Sequence, residues 1–151
     1  MVEYGIDLDA RPVAKQLQKI GRDMPQINRG ILGLLAEQVI TDSQSKYLRG
    51  RPGLKRQTGK LAQSLTHKVG NQWVDIGTNL IYAEIHEKGG TIKPKNGKYL
   101  RFQIDGKWIM ARSVTIPARP YLGPPIKDLF ASGKAELIAD RELQRQFDRR
   151  D

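Results

Sequence analysis

Residues 100–116 constrain this chain more than any other stretch. Leu100, Phe102 and Ile104 alternate with polar residues up to the pair Asp105-Gly106, and Trp108, Met110, Val114 and Ile116 follow it. Alternating apolar positions around Asp-Gly predict a two-residue β-hairpin, because both central residues of such a turn take positive φ. Pro117, Pro120, Pro124 and Pro125 then forbid regular strand pairing. Beyond them Ile126, Leu129, Phe130, Leu137 and Ile138 predict a C-terminal helical region.

Upstream, Val2, Tyr4, Ile6 and Leu8 alternate with polar residues as in a half-buried strand. Asp9 can cap, Pro12 suits a first helical turn, and Val13, Leu17 and Ile20 predict a short amphipathic helix ending at Gly21. Pro25 restarts the chain, and Ile27, Ile31, Leu34, Leu35 and Val39 mark one face of a second helix reaching Tyr47 or Leu48. That helix would be roughly 30 Å long. Residues 49–57 combine glycines and a proline with Arg49, Arg51, Lys55 and Arg56, the composition of a mobile, solvated basic loop. Thr58 can cap a short turn carrying Leu61 and Leu65, and Val69, Val74 and Ile76 fit a strand or hairpin around Gly70-Asn71. Residues 81–87 fit a helical turn closed by Gly89-Gly90. The fold class expected is α+β: one domain over 1–151 with a small, mostly antiparallel sheet, a long helix in the N-terminal half and a C-terminal helix, its end, 139–151, fraying.

At 151 residues the chain has the length of one domain, and with 38% hydrophobic and 28% charged residues it can build a core. The longest apolar stretch, 31–40, is interrupted by Glu37 and Gln38 and is half the ~20 residues of a membrane span, so no membrane partner is expected. No basic leader with an apolar stretch opens the chain, from which residence in the cytosol is expected. The absence of cysteine excludes disulfides, thiolate metal sites and cysteine nucleophiles. The net charge of +10 suggests a polyanionic partner or a place in a larger assembly. Its excess lies in mid-chain. Between Ser43 and Val74 there is no acid, while Lys46, Arg49, Arg51, Lys55, Arg56, Lys60 and Lys68 are all basic, and a second basic stretch runs from 88 to 112.

Searches for chemistry fail one by one. His86-Glu87 lacks the second histidine of a helical zinc pair, since Gly90 stands there. The glycine-rich stretch 89–98 lacks a phosphate loop's first glycine, with Ile92 in its place, and its Ser/Thr, with Tyr99 in its place. Ser64 and Ser113 have no nucleophile-elbow context. Glu84 and Glu87 would share a helical face, where a solvated face or an ion pair is the simpler expectation than acid–base work. His67 and His86 are expected to be structural or surface residues, and Trp73 and Trp108 to pack in the core rather than stack on bases. No catalytic, metal or cofactor-binding residue is assigned, and no cofactor is expected.

Two segments carry a resemblance. Tyr82-Ala-Glu-Ile-His86-Glu-Lys-Gly89-Gly90 and, after the hairpin, Ile116-Pro117-Ala-Arg119-Pro120-Tyr121-Leu122-Gly123 together resemble the phage virion morphogenesis, or tail-completion, family of tailed bacteriophages. The second segment matches the family's Pro-Ala-Arg-Pro-aromatic-Leu-Gly pattern residue for residue, while Glu87 and Lys88 stand where members often carry an apolar or aromatic residue. Residues 58–65 are similar to the segment preceding the sheet in such proteins.

The resemblance implies a non-enzymatic structural subunit that completes the tail and joins it to the DNA-filled head. It implies a homo-oligomeric ring at the neck, a hexamer by tail symmetry, in contact with the tail tube protein and head–neck connector proteins. Genome DNA would pass through the lumen without sequence-specific contact, and the basic loop would meet acidic neck or tube proteins. The protein would occupy the neck of the virion, and host cytoplasm during assembly. Physically, Gly89-Gly90 suit a positive-φ reversal, and Pro117 and Pro120 hold Arg119 and Tyr121 in fixed directions. Two readings of that corner stand side by side: an exposed interface anchor, or Tyr121 and Leu122 closing the core while Arg119 pairs with a carboxylate. The competing function is a basic DNA-binding accessory protein. A hydrolase using Glu84, His86 or Glu87 has only proximity behind it.

Overall fold

The computed structural model describes residues 11–49 and 59–149, with side chains from residue 21 onward. The strand expected at 2–8, Thr58, and Arg51, Lys55 and Arg56 of the basic loop lie outside the described residues; Arg49 is exposed at the loop's start.

One helix, α1 (Arg11–Asp42), about 48 Å long, forms the spine. It runs straight through Gly21 and Pro25, where a break between two helices was expected. Proline removes one helical hydrogen bond, the one to the carbonyl four residues back. Here that carbonyl belongs to Gly21, and both residues are exposed, so water can take the place of the missing donor. Among the side chains described, those of Ile27, Ala36 and Val39 are buried, so packing holds the second half of the helix.

The end of α1 widens into a π-helical turn, Ser43–Tyr47, in which Leu48 N–H donates to the Ser43 carbonyl at 3.0 Å. The buried Ser43 hydroxyl donates to the Val39 carbonyl at 2.8 Å. Gln44 reaches the Ala62 carbonyl at 2.8 Å, and the Tyr47 phenol donates to Asp128 at 2.9 Å. The turn thereby ties α1 to α2 (Lys60–Ser64) and, through Asp128, to α4 (Gly123–Ala131).

Strands β1 (Thr66–Val69) and β2 (Val74–Gly77) form an antiparallel hairpin laid on α1. Helix α3 (Ala83–Lys88) follows, as expected for 81–87, and then β3 (Gly90–Ile92). The hairpin called for by Asp105-Gly106 is present as β4 (Leu100–Ile104) and β5 (Lys107–Ala111), with Asp105 at φ 48° and Gly106 at φ 80°. β6 (Val114–Ile116) returns to pair antiparallel with β3. The α+β class holds, but the strands make three separate two-stranded ladders among the described residues rather than one small sheet. β3–β6 is the base of an arm and β4–β5 its tip.

The C-terminal region is two helices, α4 and α5 (Lys134–Asp148), reversed at Gly133. Both pack on α1. Two apolar clusters result: Leu48, Leu61, Ala62, Leu65, Ala83 and Tyr121 in one, Val39, Leu129 and Ala135 in the other. Leu122 packs against both.

The tryptophans are not in this core. Trp108 is 62% exposed at the arm, with the Arg101 guanidinium 4.5 Å above its ring. Trp73, 47% exposed, folds over Gly70, where any Cβ would overlap the indole. Alternation told of strands but not of a covering layer: among the described residues none covers the Trp108 side of its ladder, and Trp73 lies in the turn between β1 and β2.

Candidate structural site at the joined motifs

The two motif segments, some 30 residues apart in sequence, meet at one corner. Helix α4 begins at Gly123 with prolines at its first positions, and the residue before it, Leu122, has no side chain able to accept from the free N–H groups of the helix start. Glu87, projecting from α3, supplies the acceptor. Its Oε2 takes the N–H groups of Tyr121 at 2.7 Å and Leu122 at 3.1 Å, and its Oε1 takes that of Gly123 at 3.0 Å. The negative charge also lies where the helix dipole is positive.

Three further contacts lock the corner. Arg119 N–H donates to the His86 carbonyl at 2.8 Å, and the Tyr121 phenol to the Ala83 carbonyl at 3.3 Å. Gly89 closes α3 at φ 70°, and a Cβ there would lie 2.6 Å from the Ala118 nitrogen and 3.0 Å from the Ile116 oxygen. Glycine is required twice over, by conformation and by close backbone approach. Gly90, at φ 156°, opens β3 against Ile116. Pro117 and Pro120 are exposed and bracket the extended stretch that carries Arg119 past α3.

Of the two readings for this corner, burial selects core closure for Tyr121, 2% exposed, with Leu122 between the clusters. Burial pushes the Tyr121 phenol up to about 12, the Glu87 charge adding to the effect. Arg119 is exposed and makes no ion pair among the described residues, so the pairing half of that reading fails. His86 is half-buried beside Tyr82, ring edge to face at 6.0 Å. Burial, then the nearby Arg119 charge, push the imidazole below its ordinary value, and its Nδ1 has no hydrogen-bond partner among the described residues.

Glu84 and Glu87 part company. Glu84 is solvated and paired with Lys88 at 2.8 Å, which lowers its carboxyl pKa, as an ordinary helix face implies. Glu87 belongs to neither expectation: it is a cap supplied from a distance. The sequence signal was available, since Tyr121-Leu122-Gly123-Pro-Pro opens a helix without Ser, Thr, Asp or Asn. Among the described residues no three His, Asp or Glu side chains converge as a metal site would need.

This corner is built to fix backbone directions: a helical α+β body clasped by a buried tyrosine and a capping glutamate, with an arm leaving through the same glycines. It defines a structural class of protein in which the named motifs serve architecture. A family model described as the phage virion morphogenesis family matches residues 36–129, a stretch spanning both motifs, the arm and most of α4. The chain belongs to that family. No curated protein and no solved structure matches it.

Proposed function

We propose that this protein is a structural virion subunit that completes the phage tail and joins it to the DNA-filled head as a ring at the neck, most simply a hexamer. Membership of a virion morphogenesis family carries the reading. The joined motifs support it, because conserving chain direction between body and arm is what a repeating subunit needs, and they offer no paired acid and base for catalysis. Its partners would be further copies of itself, the tail tube protein and the head–neck connectors, with the genome passing through the lumen unread. The basic loop with Arg49, Arg51, Lys55 and Arg56 would sit against acidic neck or tube proteins.

Deleting the gene from its phage or prophage and imaging the induced lysate tests this. Filled heads beside separate tails are expected, and overlong tails would specify a tail terminator. Normal infectious particles would remove the neck reading. One observation favours a second reading, a DNA-binding accessory protein: Lys93, Lys95, Lys98, Arg101, Lys107 and Arg112 all lie between β3 and β6, against one acid, Asp105. Phosphate contacts of that kind weaken steeply with salt, and retention of duplex DNA at physiological salt would favour it.

A further inference from the structure

The β4–β5 ribbon pairs with no third strand among the described residues, so the outer edge of β4 presents unpaired backbone N–H and C=O groups. No other described element makes more than marginal contact with the ribbon. A lone two-stranded hairpin is marginal in water, and a third strand along its edge stabilises it. In β4, Leu100, Phe102 and Ile104 lie on one face, beside Ile109 and Ala111 of β5, and Arg101 and Gln103 lie on the other. Arg101, Gln103 and Ile104 are exposed. The arm around this edge is strongly basic, with Lys93, Lys95, Lys98, Arg101, Lys107 and Arg112 against Asp105. The edge therefore suits an extended segment that is apolar at every second position and acidic between. Nucleic acid would satisfy the cations and leave the backbone edge and Ile104 without partners.

Such a segment exists in this chain, outside the described residues. In residues 2–9, Val2, Tyr4, Ile6 and Leu8 alternate with Glu3, Gly5, Asp7 and Asp9. No stretch of eight residues elsewhere in the sequence holds three acids and no base. Laid along β4 with its apolar positions beside Leu100, Phe102 and Ile104, the segment brings its acids to the face that carries Arg101, in either strand direction. A slip of one residue would set the acids against Leu100 and Phe102, so the pattern selects the register. Reach selects the copy that supplies it. Val2 is nine residues from Arg11, where α1 begins, at most about 32 Å of extended chain. The arm is rooted at the opposite end of α1, about 48 Å away, where Leu48 clusters with Ala83 and Tyr121. Helix α1 packs on β1, β2, α4 and α5 and makes at most marginal contact with the arm. The segment thus falls short of the root of its own arm, and the arm of another copy is the one open to it.

We propose that residues 2–9 of one copy add as a third strand to the outer edge of β4 in a neighbouring copy. Main-chain hydrogen bonds supply the affinity of such an addition, and the alternate side chains its specificity. Strand and arm are different surfaces, so the contact is heterologous and repeats from copy to copy, closing into a ring when the rotation allows. The inference rests on the ring reading and names what links its subunits.

The cysteine-free chain makes the test direct. Ile6→Cys and Phe102→Cys copies are mixed, both purified and in lysates where they support assembly, and treated with a short bismaleimide. A linked pair is expected, with none above background between Ile6→Cys and Asp75→Cys on β2. Asp7→Cys with Gln103→Cys repeats the test on the polar face and leaves the apolar positions intact. Adding Arg101→Glu with Lys98→Glu to the Phe102→Cys copy should cut the yield about tenfold, and Glu3→Lys with Asp7→Lys in the Ile6→Cys copy should restore it. No linked pair from either set of cysteines, or equal linkage to Asp75→Cys, overturns the proposal. So does linkage that appears only within a single chain carrying both Ile6→Cys and Phe102→Cys. An arm that links to nothing while its charge reversal abolishes retardation of a duplex-DNA fragment overturns it in favour of nucleic acid. The gene deletion separates the two levels. Lost joining without the crosslink defeats this interface alone, whereas normal particles defeat the neck reading whatever the crosslink does.

Discussion

Three backbone N–H groups converge on Glu87, and the energy at stake follows from what its removal strands. A partly buried donor left without an acceptor costs about 1–3 kcal/mol, so Glu87→Ala should destabilise the fold by roughly 2–4 kcal/mol. Glu84→Ala, which loses only a solvated pair with Lys88, should leave the melting temperature unchanged. Equal losses in the two variants, measured by thermal melts, would contradict the capping role. Tyr121 gives a pH signature at the same corner. Its pKa is raised in the fold, to about 12. The neutral phenol therefore stabilises the protein fully below the unfolded value near 10, and that contribution is lost as pH rises through 12. Tyr121→Phe should melt with a shallower decline than the wild type between pH 9 and 12, by an amount on the order of 2 kcal/mol. Residue-level reading of the sequence found the glycines and prolines of this corner, because their backbone constraints are local. It missed Glu87 because a cap delivered from 34 residues away leaves only a negative trace, a helix start with no acceptor of its own.

At the scale of elements, period-two alternation and Asp-Gly sufficed for the β4–β5 hairpin, since a two-residue turn fixes register as well as reversal. The same register already separates Trp108 and Met110 from Phe102 and Ile104. A ribbon that is apolar on both sides is a sign that its cover lies elsewhere than in the chain's own core. The arm's order should then be independent of the body's. Gly106 sits at φ 80°, so Gly106→Ala should strain the turn and lower amide protection along 100–111 in hydrogen exchange. The melting temperature of the body should not move; a body that melts earlier would show the arm to be part of the core. Helix α1 is the opposite lesson. Gly21 and Pro25 are genuine local breakers, yet the helix continues through both, since the exposure of Pro25 and Gly21 lets water replace the one hydrogen bond lost. Pro25→Ala, restoring an amide, should stabilise the protein by about 1–3 kcal/mol in denaturant titration.

At the scale of the whole molecule, the ion pairs Asp42–Lys46, Glu84–Lys88 and Glu142–Arg145 each lie within one turn of chain. Such pairs hold side chains, not elements, and contribute little to stability. The body is held instead by the two apolar clusters and by the close approach of α5 to α1, where a Cβ on Gly30 would lie 3.4 Å from Glu142 Oε1. Gly30→Ala should therefore be tolerated, whereas Gly30→Leu should push α5 off the spine and lower stability by about 1–3 kcal/mol. The excess positive charge, by contrast, is concentrated in the sequence at 46–68 and 88–112, and on the described arm Lys93, Lys95, Lys98, Arg101, Lys107 and Arg112 are all exposed. Folding and association should then respond to salt in different ways. Raising ionic strength shortens the reach of exposed charges to a few ångströms and leaves apolar burial intact. Sedimentation across a salt series should show self-association weakening steeply while the melting temperature of the subunit stays level. Association that is indifferent to salt would mean that the apolar face of the arm, and not its cations, chooses the partner.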